Sequence, residues 1–308
     1  MVSPPSRLNI YDAVAANRWR TAALITVFTG LLIAVGYVVG EVFAPGGGVA
    51  MVPAALGLSG VSATASYFAG DKLVLAQSQA RELAPGEEPQ LRNVVETLSI
   101  GLGIPPPRIY LIDDTAPNAF ATGRDPKHAS IAVTRGLIDK LDRTEQEGVI
   151  AHELSHVGNH DIRVMLLVTV LVGTIALLSD WMFRSFAFGG GRRGRDRGGG
   201  GGIILIVAIA LAILTPIIAM LIQFAVSRQR EYLADASGAL LTRYPPGLAS
   251  ALRKIAADKE ALEVANKATA SLYFANPLKD RPTFMDGLFN THPPIAERIK
   301  RLEAMAGP

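Results

Sequence analysis

His152, Glu153 and His156 fall within His152-Glu153-Leu154-Ser155-His156, in a chain of 308 residues with five histidines. On a helix, positions i and i+4 share a face, so both imidazoles can reach one ion. Glu153 then stands beside the attacking water rather than on the metal. Two imidazole ligands and a carboxylate that takes the water's proton make a zinc-hydrolase arrangement. At this composition, an accidental match to the pattern is expected about 0.003 times per chain. The competing reading is a helix face with two solvated histidines.

Such a site takes a third protein ligand and keeps a fourth position open. No histidine falls at the spacing of a three-histidine site, and His160 reads as a helix-flank residue. Glu231, in Ser227-Arg228-Gln229-Arg230-Glu231-Tyr232-Leu233-Ala234-Asp235, is the better candidate. The His152 helix ends where an apolar run opens at Val164, and the Glu231 helix begins where another closes at Val226. If both helices continue unbroken into those runs, they form an antiparallel pair. At about 1.5 Å per residue, His156 and Glu231 then stand roughly 8–12 Å above one membrane edge. Asp235, one turn on, could hold a ligand imidazole by its distal N–H, although a solvated helix aspartate is the ordinary reading.

The elements that carry these residues are sorted by hydropathy. Half the chain is apolar (49%) and 19% is charged, which excludes disorder. There is no cysteine, so disulfide frameworks, thiolate metal sites and cysteine nucleophiles are excluded. Residues 21–40, 49–70 and 203–226 are uncharged and long enough to cross a bilayer. The second is rich in Ala, Gly and Ser and is expected to pack on other helices. Residues 164–178 are short, and span only by continuing through Asp180 and Arg184 towards Phe188. The opening apolar run starts too late and runs too long for a cleavable signal peptide.

With the N-terminus inside, ten basic residues flank the cytoplasmic ends, against five in 181–202 and none in 41–48. The expected organisation is a cytoplasmic N-terminus (1–20), a transmembrane hairpin (21–70) and the first part of a catalytic domain (71–161). A second apolar hairpin (162–226) carries a Gly/Arg-rich loop at 188–202, and the second catalytic part is 227–308. Whether that second hairpin spans or dips stays open. Within 71–161, Pro89 to Leu102 reads as a helix and Arg108 to Ile112 as a strand. Ala119 to Thr122 and Ala129 to Thr134 read as a β-hairpin, with His128 in its turn facing water. Thr144 reads as a helix start with Glu147 completing a capping box. Residues 227–308 read as helical throughout.

Four segments together resemble the HtpX family of membrane zinc endopeptidases, relatives of the CAAX prenyl endopeptidases. They are Asn118-Ala119-Phe120-Ala121-Thr122-Gly123, His152 to His156, Arg230 to Asp235 with Ala236-Ser237-Gly238-Ala239, and Thr291-His292-Pro293-Pro294. The resemblance runs over nearly the whole chain. It implies one Zn2+ per chain on His152, His156 and Glu231, with Glu153 as general base. It also implies a zincin-like (gluzincin) α+β domain on a mainly α membrane protein with up to four transmembrane helices. The implied role is quality control of misfolded membrane proteins under stress, at the cytoplasmic face of the inner membrane. Asn118, Ala119, Phe120 and Ala121 would bind substrate backbone as an open strand edge; a plain core hairpin competes. His292, with Arg298 six residues on, could donate to the oxyanion; a helix-entry residue before Pro293 is the ordinary reading. The Gly/Arg loop departs from the family pattern.

Two other functions fit the same residues. One is a protease for lipid-modified C-terminal peptides, which needs a large membrane-open cavity. The other is a scaffold with a structural zinc site, its arginine loop binding anionic lipid or nucleic acid. Glu153 argues against the scaffold, since a structural site has no use for that carboxylate. The expected partners are therefore protein substrates and the bilayer, without nucleic acid.

Overall fold

The structure is a computed structural model and describes residues 10–43, 46–189, 228–265, 269–277 and 293–306. The apolar run 203–226, the loop residues 190–202 and His292 lie outside the described residues.

Two long helices open the chain, α1 (Ile10–Phe43) and α2 (Gly47–Gln77). Their turn is closed by Glu41, whose carboxylate accepts from the backbone N–H of Gly46 (3.0 Å) and Gly48 (3.2 Å). Those donors have no helical partner at a helix start. The buried face of α2 includes Gly48, Ala55, Ser59, Ser62, Ser66 and Gly70. Small residues at this spacing let backbones approach closely. Thr29 and Ser59 hydroxyls meet at 2.6 Å between the two helices. Trp19–Val38 and Gly47–Gln77 are long and apolar enough to cross a membrane.

A four-stranded mixed sheet follows, in the order β1-β2-β4-β3. Its strands are β1 (Arg81–Glu82), β2 (Arg108–Ile112), β3 (Ala119–Gly123) and β4 (Ala129–Thr134). The β2–β4 pair is parallel; β1–β2 and β3–β4 are antiparallel. Side chains alternate across it. Ala119, Ala121, Ile131 and Val133 join the core formed with Val149, Ile150 and Leu154, while Phe120 and Ala132 join Met165, Leu166 and Tyr273. Helix α3 (Pro89–Leu102) ends at Gly103 with φ 68°, and α4 (Arg135–Lys140) follows β4. The expected helix, strand and hairpin of this block are all present, and His128 is half exposed at the turn.

Helix α5 (Arg143–Gly158) carries the two histidines. Its cap is Asp142, with Glu145 completing the capping box. That corrects the Thr144–Glu147 expectation: Asp142 accepts from the N–H of Glu145 at 3.0 Å and from the Thr144 hydroxyl at 2.7 Å, so the start moves back two residues. The unbroken helix expected between His156 and the Val164 run is also corrected. The chain turns by 83° into α6 (Asp161–Gly189). At the corner His160 takes φ 58°, which ends the α5 ladder. Helix α6 does continue past Asp180 and Arg184.

The second block holds α7 (Arg228–Thr242), α8 (Pro245–Ala257) and α9 (Ile295–Met305). It is not helical throughout. Between α8 and α9 lies a 3-10 turn at Ala270–Leu272 followed by a bent segment, Tyr273 to Ala275, held against β3. Asn276-Pro277 near its end and the hydrogen bonding of Phe274 to β3 both oppose a helix there.

Candidate active site

Helix α5 presents His152 and His156 one turn apart, and α7 brings Glu231 against them. All three side chains are buried. The Nε2 atoms of the two histidines are 3.2 Å apart. Glu231 Oε2 is 3.7 Å from His152 Nε2, and Glu231 Oε1 is 3.5 Å from His156 Nε2. Tetrahedral ligands at zinc–ligand lengths near 2.1 Å stand about 3.4 Å from one another. The two Glu231 separations involve different oxygens; with one ligand atom per residue the three lie within 4.8 Å of one another, close enough to surround one metal ion.

The far nitrogens are tied down. His152 Nδ1 is 2.9 Å from Asp235 Oδ1, and His156 Nδ1 is 3.1 Å from Asp161 Oδ2. Each carboxylate fixes a ring so that Nε2 turns its lone pair to the shared point. Asp235 is itself gripped by Arg298, through Nε (2.8 Å) and Nη2 (2.7 Å). Arg298 is fully buried, donates Nη1 to the Phe274 carbonyl (3.2 Å), and lies 4.8 Å from the Phe274 ring. Its donors are thus engaged around Asp235 and Phe274.

Glu153 points from α5 towards the sheet, and its Oε2 accepts the Ala121 N–H at 2.8 Å. Burial pushes its carboxyl up to about 7; His156 opposes the rise and Glu231 adds to it. Burial drops His152 to about 4 despite Asp235. For His156 burial acts against the charge, but the Asp161 hydrogen bond and the Glu231 field outweigh it and lift the ring to about 9. Burial would also raise Asp235, and the field of Arg298 more than reverses that, holding it below the usual carboxylate range.

The structure therefore brings together His152, Glu153, His156, Glu231, Asp235, Arg298 and the β3 residues. His160 marks the corner after α5. Strand β3 is the sheet edge, but its first outward groups are already engaged. The Ala119 carbonyl accepts the Phe274 N–H at 2.8 Å. The Asn118 side chain donates to the Ala275 carbonyl (3.0 Å) and accepts from its N–H (3.3 Å).

Two residues were not foreseen, Asp161 and Phe274. Asp161 lies five residues after His156, off its helical face, and reaches it only because of the 83° corner. Phe274 meets the His152 ring at 5.0 Å from a segment without helical or alternating pattern.

Comparison with known proteins gives the family. Residues 85–306 match the peptidase family M48 model. A Protease HtpX homolog of Dictyoglomus thermophilum is 48% identical over 295 residues, covering 96% of this chain and 94% of the relative. One from Tropheryma whipplei is 43% identical over 296 residues, covering 96% and 98%. The crystal structure of S. mikatae Ste24p superposes with TM-score 0.49 at 19% identity, over 95% of this chain and 67% of that one. The family match spans both parts of the site, the HExxH helix and the helix of Glu231, and the chain belongs to peptidase family M48 as an HtpX-type membrane metalloendopeptidase.

Proposed function

We propose that this metalloendopeptidase binds one zinc ion on His152, His156 and Glu231 and cleaves extended segments of misfolded or damaged membrane proteins at the cytoplasmic face of the inner membrane. The observation that carries the reading is the convergence of three buried ligand atoms, each within 4.8 Å of the others, beside the Glu153 carboxylate, which is not among them. Zinc, when bound, polarises the scissile carbonyl and lowers the pKa of a water.

The chain's own residues supply the rest. Glu153 takes the proton from the water and delivers it to the leaving amine. A carboxyl near 7 suits that exchange at neutral pH. Asp235 and Asp161 hold the ligand rings, and Arg298 holds Asp235. Asn118, Ala119, Phe120 and Ala121 receive the substrate backbone by strand addition, and Ala121 ties that strand to Glu153. His292 donates to the developing oxyanion. We assign the chain the zincin-like (gluzincin) layout, with up to four membrane segments, 164–188 and 203–226 being the third and fourth.

Glu153→Gln tests the mechanism. The variant is expected to retain one zinc per chain by metal analysis and to lose at least 100-fold in cleavage of casein in detergent. Full activity with normal metal content would remove Glu153 from the reaction.

A further inference from the structure

Strand β3 offers its outer edge at Ala119 and Ala121, since Phe120 pairs with Ala132 of β4 on the inner side. The chain's own residues Phe274 and Ala275 lie along that edge, antiparallel to it. Phe274 opposes Ala119 and Ala275 opposes Asn118. All four polar backbone atoms of the two residues are engaged. The Phe274 N–H goes to the Ala119 carbonyl and its carbonyl to Arg298. The N–H and carbonyl of Ala275 are both bracketed by the Asn118 amide. These contacts read backbone without regard to side chain, which is how an edge captures peptides of varied sequence. The Phe274 ring fills the space beside His152 and under Arg298.

We propose that Leu272–Ala275 is an internal peptide seated in the substrate groove, a competitor that a client segment must displace before it can be cut. The proposal rests on the reading of β3 as the substrate strand. A permanent fifth strand would show a backbone ladder like the five-residue pairing of β3 with β4. Here one main-chain bond is made, and side chains of the site supply the others. Tyr273 anchors the segment on the Phe120 face of the sheet, where its ring is fully buried. Its hydroxyl donates to Ser78 Oγ at 3.1 Å, and its ring meets Phe120 edge-on at 5.0 Å. The displacing substrate is an extended peptide with a large apolar side chain in place of Phe274.

The test loosens the anchor while leaving the metal ligands and Glu153 in place. Tyr273→Phe and Ser78→Ala each remove the Tyr273–Ser78 hydrogen bond and keep the packing. In the full-length zinc-loaded protein, each is expected to lower KM for an unfolded peptide substrate about two- to tenfold with kcat unchanged. Amide exchange at Phe274 and Ala275, read by mass spectrometry, is expected to accelerate by a similar factor. The peptide acetyl-Ser-Leu-Tyr-Phe-Ala-Asn-Pro-amide, copied from 271–277, is expected to inhibit wild type competitively. An unchanged or higher KM in both folded variants overturns the proposal, whether or not exchange accelerates. A zinc-loaded wild type that cuts no unfolded substrate at all overturns the protease reading instead.

Discussion

Each ligand imidazole spends one nitrogen on a carboxylate, and the charge that results has a consequence for metal loading. In the metal-free site His156 keeps its proton up to about pH 9, because Asp161 and Glu231 outweigh burial. Zinc needs that lone pair, so binding below pH 9 must expel a proton. Affinity is therefore expected to rise about tenfold per pH unit between 7 and 9. The metal-free fold has the opposite dependence. The folded pKa of His156 lies above the unfolded value, so its stabilisation is complete below about pH 6.5 and is lost as the pH rises through 9. Chelator competition across this range, with calorimetry in buffers of different ionisation enthalpy, reads both proton release and affinity. Asp161→Asn should flatten the slope by lowering the pKa of His156. A wild-type affinity independent of pH would contradict the assignment of the proton.

The packing of α5 on α7 sets the ligand distances. At Gly238 a Cβ would lie 2.9 Å from the His152 backbone nitrogen and 3.2 Å from Ala151 C. Neither can yield without moving α5. Gly238→Ala is expected to cost about 1–3 kcal/mol as α7 backs away. Because Glu231 moves with α7, the loss should be larger with zinc than after EDTA. Gly158→Ala, with nothing within 4 Å of its Cβ, is the control and should not destabilise. Melting both variants with and without chelator checks this, and equal losses in the two states would mean that α7 does not set the metal geometry. This contact also shows where the sequence is legible. The i, i+4 pair and the strand boundaries of β2 and β4 are local patterns, readable from period and turn residues. The corner at His160 and the seating of Phe274 depend on non-local partners. Asp161 could therefore not be paired with His156, nor Phe274 with Ala119, before the fold was known.

At the scale of the molecule, α6 joins the helical hairpin to the catalytic core. Met165 and Leu166 pack under the sheet with Val74 and Leu75 of α2, while Leu171 and Ile175 pack on Phe28 and Leu32 of α1. With 31 residues, α2 is about 46 Å long, more than the roughly 30 Å of a hydrocarbon core. Its last turns therefore reach into the catalytic domain. Tyr67 and Phe68 on α2, and Trp19 at the start of the apolar run of α1, sit at that same end of the hairpin. Trp19 is 74% exposed. Arg124, just after β3, lies 5.8 Å from the Tyr67 ring and 5.5 Å from Phe68. Tyr and Trp are enriched at membrane–water interfaces, so the β3–β4 turn is expected near the membrane surface, with the groove beside it. The opposite end of the hairpin, at Gly46, then faces away from the catalytic domain. Because the chain has no cysteine, this can be read from single substitutions. Gly46→Cys in the turn, outside both apolar runs, should react with a membrane-impermeant maleimide added to intact cells stripped of any outer barrier. Ile100→Cys, 77% exposed on α3, should react only after the cells are lysed. The reverse pattern would place the groove on the outer face, and equal labelling of both would mean that the α1–α2 hairpin does not cross.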